Sequence, residues 1–221
     1  MSDRVTMADV AQDVGVSVMT VSRVVNDKGD VSAKTRQRVL DAIERLGYRP
    51  SAIARSLATR RTGTLGLVIP DVANPFFAEV ARGVEHVAYA EGYNVFLCNT
   101  DEDPQRELDI LESLEEKRVD GIVLCSSRLE NAHLRIVTES HGAVVLVNRT
   151  LHVDDATTAA VLVDDVAGGR MATEHLLSRG HRAIGFLSGP PGSRSGRGRV
   201  EGYRRTMGDA DLAIEPGWMR P

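Results

Sequence analysis

Two rhythms of apolar and polar positions divide this chain near residue 60. In the first segment Ala8, Val10, Ala11 and Val14 recur at the spacing of one helix face. That spacing predicts a helix from Met7 to about Val14, with the Thr6 hydroxyl as its N-cap. Gly15 suits a sharp turn because glycine takes positive φ at little cost. Val16 anchors that turn, and Ser17 is placed to cap a second helix, Val18 to Val25, ending near Asn26 and Asp27. By spacing, Val21, Val24 and Val25 point inward, while Val18, Met19, Thr20, Ser22 and Arg23 point outward. A third helix is predicted over Ala33 to Leu46, capped by Ser32 and closed by Gly47, with Val39, Ala42, Ile43 and Leu46 as its core stripe. Pro50 ends it, since proline cannot continue a helix. Ser51 can cap a short fourth helix, Ala52 to about Thr59, which is too short to persist alone in water.

From Thr64 the pattern alternates continuous apolar runs with amphipathic stretches. The runs are Leu65 to Ile69, Asn94 to Cys98, Gly121 to Cys125, Ala143 to Val147 and Ala183 to Leu187. Helical patterns lie between them at Phe76 to Glu91, Pro104 to Arg118, Leu129 to Glu139 and Asp165 to Arg179. This alternation predicts parallel sheets covered on both faces. Ligands in such folds bind at the carboxyl ends of strands. The residues there are Asp71, Asn74, Phe76, Phe77, Asn99, Ser126, Asn148, Arg149 and an expected loop at 193–199.

Charge sharpens the division. Residues 1–61 hold eleven Lys and Arg against seven Asp and Glu, a net of +4, and the rest holds sixteen against twenty-four, a net of −8. A basic head on an acidic body suits local binding of a polyanion. Lys34, Arg36 and Arg38 near the start of the third helix gain nothing from its dipole. They either attract a phosphate backbone or form a solvated basic face. Cys98 and Cys125 each sit in an apolar run and read as reduced core residues rather than a disulfide or metal site. No catalytic residue, cofactor or metal is expected, because His86, His133, His141, His152, His175 and His181 form no nucleophile or ligand pattern. The stretch Gly196 to Gly202 spells G-x-G-x-x-x-G, which departs from a dinucleotide fingerprint but leaves a sugar- or nucleotide-handling enzyme as the minor alternative. Neither a signal peptide nor a membrane span is visible, so a cytoplasmic, nucleoid-associated location is expected.

Two helices joined by a glycine turn place the second in the major groove of DNA, its N-terminal residues against base edges. Arg23 can fork onto guanine, whereas Val18 and Met19 offer only apolar contact, for instance with a thymine methyl. Thr6, Ser17, Thr20, Ser22 and Asn26 are short polar groups of the kind that hold phosphates. The alternative is that they are ordinary caps of a small helical domain.

The motifs Asp9-Val-Ala, Gly15-Val-Ser, Thr20-Val-Ser-Arg-Val, Val31-Ser, Thr35-Arg, Gly47-Tyr-Arg-Pro50 and Ala52-Ile-Ala-Arg-Ser-Leu57 make the head similar to that of the lactose-repressor family of bacterial regulators. The body resembles that family's sensor through Asp71-Val-Ala-Asn-Pro-Phe-Phe77, Arg118-Val-Asp-Gly-Ile122, Val147-Asn-Arg149, Gly180-His-Arg182, Gly189-Pro and Arg199-Val-Glu-Gly-Tyr203. The resemblance implies an α+β two-part chain. A helix-turn-helix head spans 1–50, a hinge helix and linker 51–63, and a periplasmic-binding-protein-like α/β sensor 64–221. It carries DNA contact onto Thr6, Met7, Ser17, Val18, Met19, Thr20, Ser22, Arg23, Asn26, Ser32, Thr35, Tyr48, Ser51, Ala54, Leu57 and Ala58. Leu57 becomes a minor-groove wedge of the kind that unstacks a base step. Arg55, Arg60 and Arg61 would then lie beside phosphates.

Effector contact falls by the same resemblance on Phe76, Phe77, Asn148, Ser195 and Arg199, with Asn148 standing where the family usually has aspartate. The alternative uses are plugging the sheet for the two phenylalanines, and pairing with Glu201 or Asp209 for Arg199. The implied function is a repressor that binds a palindromic double-stranded operator as a homodimer, under a small-molecule effector: a sugar or sugar-like compound, or a purine. The helix from Phe76 to Glu91 is the expected subunit contact. The resembled sensor continues past residue 221, so the sensor is expected to be incomplete, holding the first subdomain almost whole and the beginning of the second. A truncated regulator with little DNA or effector binding is the second expectation.

Overall fold

The computed structural model describes residues 5–26, 29–49, 56, 61–152, 156–189 and 193–220. Ser51, Ala54, Leu57 and Ala58, the hinge contacts expected from the sequence, lie outside the described residues, as do Pro50, Arg55 and Arg60. The chain divides into two compact units, Met1–Thr62 and Gly63–Pro221.

In the first unit, α1 (Met7–Val14), α2 (Val18–Val25) and α3 (Ala33–Leu46) form a bundle. Each begins on a hydroxyl cap, Thr6, Ser17 or Ser32, whose oxygen accepts a backbone N–H of the first turn. Thr6 and Asp9 form a reciprocal capping box. Gly15 (φ 71°) and Gly47 (φ 65°) close α1 and α3 in the left-handed conformation that a Cβ disfavours. Val10, Ala11, Val14, Val21, Val24, Val39, Ala42 and Tyr48 make the core.

Three expectations change here. Ala8 is exposed rather than part of the buried stripe, because the stripe closes on Val10, Ala11 and Val14. Arg38 donates from Nη2 to the Val14 carbonyl at 2.6 Å, so it satisfies an orphan C=O at the end of α1 instead of serving only as a basic surface. Tyr48, expected at the DNA surface, is only 8% exposed and packs in the core.

The second unit is built on a parallel five-stranded sheet, ordered β2-β1-β3-β4-β5. Its strands are β1 (Thr64–Ile69), β2 (Asn94–Asn99), β3 (Gly121–Cys125), β4 (Val144–Val147) and β5 (Thr158–Val161). One face packs Leu67, Ile69 and Cys125 against Phe77, Val80, Ala81 and Val84 of α4 (Pro75–Ala90). The other packs Val68, Ile122, Leu124, Val144 and Leu146 against Leu111 and Leu114 of α5 (Pro104–Glu116) and Leu134 and Val137 of α6 (Asn131–Ser140). Of the apolar runs, those of β1, β3 and β4 form the centre of the sheet and are largely buried between helices, as continuous hydrophobicity requires, whereas the run of β2 lies at an edge with Phe96 and Leu97 exposed. β5 was not expected from the sequence.

Beyond it lie α7 (Asp165–Ser178), α8 (Arg194–Asp209) and a parallel pair, β6 (Phe186–Leu187) with β7 (Met219–Arg220). Ile184, Tyr203 and Met207 form a separate small core. Two expectations are corrected. The fifth apolar run yields only the two residues of β6, and the expected loop at 193–199 is the cap and first turns of α8. Its glycines are packing residues: a Cβ on Gly202 would stand 2.2 Å from the Val166 carbonyl oxygen, and one on Gly198 would stand 2.9 Å from the Asp165 Cβ. α7 and α8 therefore cross at backbone distance, and the G-x-G-x-x-x-G stretch that supported an enzyme lies inside a helix.

Candidate DNA-reading surface and effector cleft

The outward face of α2 is apolar at its start and cationic at its end. Val18 is 48% exposed and Met19 65%, among the most open large apolar side chains of the head. Arg23 is exposed in the last turn and forms no hydrogen bond or ion pair among the described residues. The hydroxyls between them are engaged. Ser17 Oγ accepts from the Thr20 N–H at 3.1 Å and lies 2.9 Å from Thr20 Oγ1. The Asn26 side-chain amide donates to the Ser22 carbonyl at 2.8 Å and the Ser22 hydroxyl at 3.3 Å.

At the start of α3, Ser32 Oγ donates to Thr35 Oγ1 at 3.0 Å and accepts the Thr35 N–H at 3.2 Å. The Thr6 hydroxyl donates to Asp9 Oδ2 at 2.7 Å, and the Thr6 backbone N–H reaches the same oxygen at 2.8 Å. Those two bonds, the backbone one foremost, hold the Asp9 carboxyl below its ordinary range. Met7 is half-buried against the core. Of the polar residues read as phosphate ligands, Thr6 and Ser17 are N-caps and Asn26 is the C-cap of α2, so for these the two readings describe the same residues, whereas Thr20 and Ser22 lie within α2.

The second unit carries a cleft of about 450 Å³. Four of the five expected effector residues need little comment: Phe76, Phe77, Asn148 and Ser195 all line it. Arg199 lines it too, but its Nε donates to Asp165 Oδ1 at 2.8 Å rather than pairing with Glu201 or Asp209. Phe76 is exposed and meets buried Phe77 edge-on, their ring centroids 5.1 Å apart. Asn148 is buried, and its Oδ1 accepts from the Val163 N–H at 3.4 Å, leaving the amide nitrogen as a donor for the cleft. Of the other strand-end residues, Asn74 and Ser126 line the cleft. Asp71 and Asn99 brace the loop after β1 by accepting the Ala73 and Val72 N–H groups. Arg149 turns away to the Leu129 carbonyl and Asn131 Oδ1, both at 2.9 Å.

Sequence reasoning missed Glu102, Arg128 and Phe186. Arg128 donates from Nε to Glu102 Oε2 at 2.5 Å and from Nη1 to the Ser126 carbonyl at 3.1 Å. Behind it, buried Glu107 accepts the Arg128 backbone N–H at 3.0 Å, and burial pushes its carboxyl above the usual glutamate range. Three cleft residues that follow β2, β3 and β4 hold left-handed backbone: Glu102 (φ 60°), Ser126 (φ 48°) and Asn148 (φ 55°). Such conformations cost roughly 1–3 kcal/mol each and gather where a fold fixes groups for a ligand. With aromatic faces, amides, hydroxyls and one arginine–carboxylate pair on its walls, the cleft can stack a ring and hydrogen-bond its polar substituents.

Cys98 and Cys125 are free thiols, and burial pushes Cys125 up to about 12, in keeping with core roles. Among the described residues no helix is long and apolar enough to cross a membrane.

Comparison with known proteins adds independent findings. Residues 6–51 match the family model described as bacterial regulatory proteins, lacI family. Residues 62–220 match the one described as periplasmic binding proteins and sugar binding domain of LacI family. The chain is 42% identical over 211 residues to the ribose operon repressor of Halalkalibacterium halodurans, covering 94% of this chain and 61% of that protein. It is 39% identical over 212 residues to the HTH-type transcriptional regulator RegA of Clostridium saccharobutylicum, covering 96% and 63%. Among solved structures, a lac repressor dimer bound to operator and the anti-inducer ONPF matches with a TM-score of 0.82 at 28% identity, covering 99% of this chain and 65% of that one. These relatives are regulators rather than enzymes, and the chain spans a little over three fifths of their length.

Proposed function

We infer that the chain, which belongs to the LacI family of bacterial regulatory proteins, is a sequence-specific DNA-binding transcriptional regulator acting as a repressor. Two copies read a near-palindromic double-stranded operator, each laying α2 along the major groove. A small molecule in the sensor cleft, a sugar or sugar-like compound or else a purine, alters DNA affinity. Control of this kind is a coupling free energy between two sites. The likeness to a protein named a ribose operon repressor supports the sugar class. The residues proposed for the effector are Phe76, Phe77, Asn148, Ser195 and Arg199, joined by Glu102 and Arg128. The hinge contacts proposed from the sequence are Ser51, Ala54, Leu57 and Ala58, and a cytoplasmic location goes with the role.

One observation carries this reading: the exposed Val18, Met19 and Arg23 on the outer face of a capped second helix. Selection of bound duplexes from random DNA at stated salt tests it. An inverted-repeat consensus is expected, and a flat profile counts against it.

A further inference from the structure

We propose that Glu107 positions the loop that carries Ser126 and Arg128 into the cleft, and that a proton taken up by its carboxyl loosens that hold. The proposal rests on the reading of the cleft as the effector site and adds the proton as a second ligand of that site. Glu107 lies in the first turn of α5, is 2% exposed and is not itself a wall of the cleft. Its Oε2 accepts the Arg128 backbone N–H at 3.0 Å, while its Oε1 has no hydrogen-bond partner among the described residues. From the same residue Arg128 sends Nε to Glu102 and Nη1 to the Ser126 carbonyl. Arg149 holds the other end of the loop through the Leu129 carbonyl at 2.9 Å. Ser126 keeps its left-handed backbone (φ 48°) between these holds, a conformation that persists only where its surroundings over-determine it.

A buried carboxyl with one bare oxygen can take a proton there without giving up the Arg128 bond. What changes is the strength of that bond, because a carboxylate accepts about twice as strongly as a neutral acid. Burial, foremost, favours the proton, and the Ser127 hydroxyl, the Arg128 N–H and the Arg128 and Arg149 guanidiniums oppose it. β1, packed under α5, brings no charged residue, and His133, Arg135 and Glu139 of α6 are exposed. The charged form therefore grips the loop more firmly even though burial makes it the costlier one for the fold. A small molecule that engages Ser126 or Arg128 needs the loop in place. It and the proton then weaken each other's binding by the same factor.

The test uses the full chain without any ligand, followed by NMR across a pH series, with amide exchange corrected for its intrinsic dependence on pH. The Arg128 amide proton is expected to move downfield as pH rises through the raised carboxyl range. Its exchange should slow roughly 5- to 10-fold, the difference between a neutral and a charged acceptor. The Ile122 N–H, bonded to the Ala143 carbonyl at 2.9 Å within the sheet, should show neither change. In Glu107→Gln the Arg128 midpoint is expected to vanish and the fast exchange to hold at every pH, with Ile122 unaltered. An Arg128 amide that ignores pH in the parent overturns the proposal, whether or not the variant folds. A midpoint that survives in Glu107→Gln overturns it too, as does an equal change at Ile122, which marks loosening of the whole sheet. A cleft that takes neither sugars nor purines overturns the effector reading and leaves the loop result standing, which separates the two failures.

Discussion

Gly169 on α7 lies so close to Arg199 on α8 that a Cβ added to it would stand 2.2 Å from the Arg199 carbonyl oxygen. Its neighbour Gly168 has nothing within 4 Å of the corresponding position. Helix propensity alone favours alanine at both positions by about 1 kcal/mol. Packing reverses the sign at one of them. Gly168→Ala is expected to stabilise the sensor unit by up to about 1 kcal/mol, and Gly169→Ala to destabilise it by about 3 kcal/mol. Urea unfolding of the pair decides, and equal effects would show that α7 and α8 do not meet at this distance.

Tyr203 is the largest fully buried side chain among the described residues, and its hydroxyl donates to the Ile184 carbonyl at 2.6 Å. Tyr203→Phe keeps the ring and leaves a buried acceptor unpaired, an expected loss of about 1–3 kcal/mol. Thermal unfolding monitored in the near ultraviolet gives the value. No loss would mean that water reaches the Ile184 carbonyl.

Glu107 ties the sensor unit to pH. Burial raises its carboxyl above the usual glutamate range, so the folded state binds this proton more tightly than the unfolded chain does. The stability it contributes is therefore present below the ordinary glutamate value and is lost as pH rises through the raised one. Glu107→Gln removes that titration. Relative to the parent, the variant should gain stability as pH rises above the ordinary glutamate value, measured by denaturant unfolding at several pH values. A difference independent of pH would show that the carboxyl is not perturbed.

In the head, Ser17 accepts the Thr20 N–H from the N-cap of α2. Ser17→Ala is expected to cost about 1 kcal/mol of head stability even without DNA, and Ser17→Asp, which caps equally well, to restore it. If neither substitution moves the head's melting temperature, the hydroxyl serves only a ligand.

The head was legible in the sequence because its information is local. Thr6, Gly15, Ser17, Ser32 and Gly47 punctuate helices whose apolar spacing is regular, and the three helices start and stop as those residues predict. The strands from β1 to β4 were legible for the same reason. α8 was not. Gly196, Gly198, Gly202 and Gly208 give it the composition of a loop, and it is helical because α7 accepts its backbone at close range. Tertiary packing outweighs propensity there. β5 was missed although Ala159–Val163 is an unbroken apolar run, and the strand it forms, Thr158–Val161, is short, at the edge of the sheet and largely exposed. Five strand-end residues, Asn74, Phe76, Phe77, Ser126 and Asn148, together with Ser195 and Arg199, could be placed at the cleft from sequence, whereas Glu102 and Arg128 could not. Each follows its strand by a few residues and looks like a solvated loop charge. They meet because β2 and β3 flank β1 in parallel register, Ile69 beside Asn99 and Val68 beside Leu124, so both loops leave the same edge.

The account turns on α2 lying against base edges, and Arg23 is the residue through which that can be measured most directly. The measurement is anisotropy of the parent chain and of Arg23→Ala on a selected duplex and on versions altered at each guanine, at one stated salt concentration. The parent should lose about 1–3 kcal/mol of affinity when one particular guanine of a half-site is changed, and Arg23→Ala should be indifferent to that change. If Arg23→Ala discriminates among the duplexes as well as the parent does, α2 is not the reading helix.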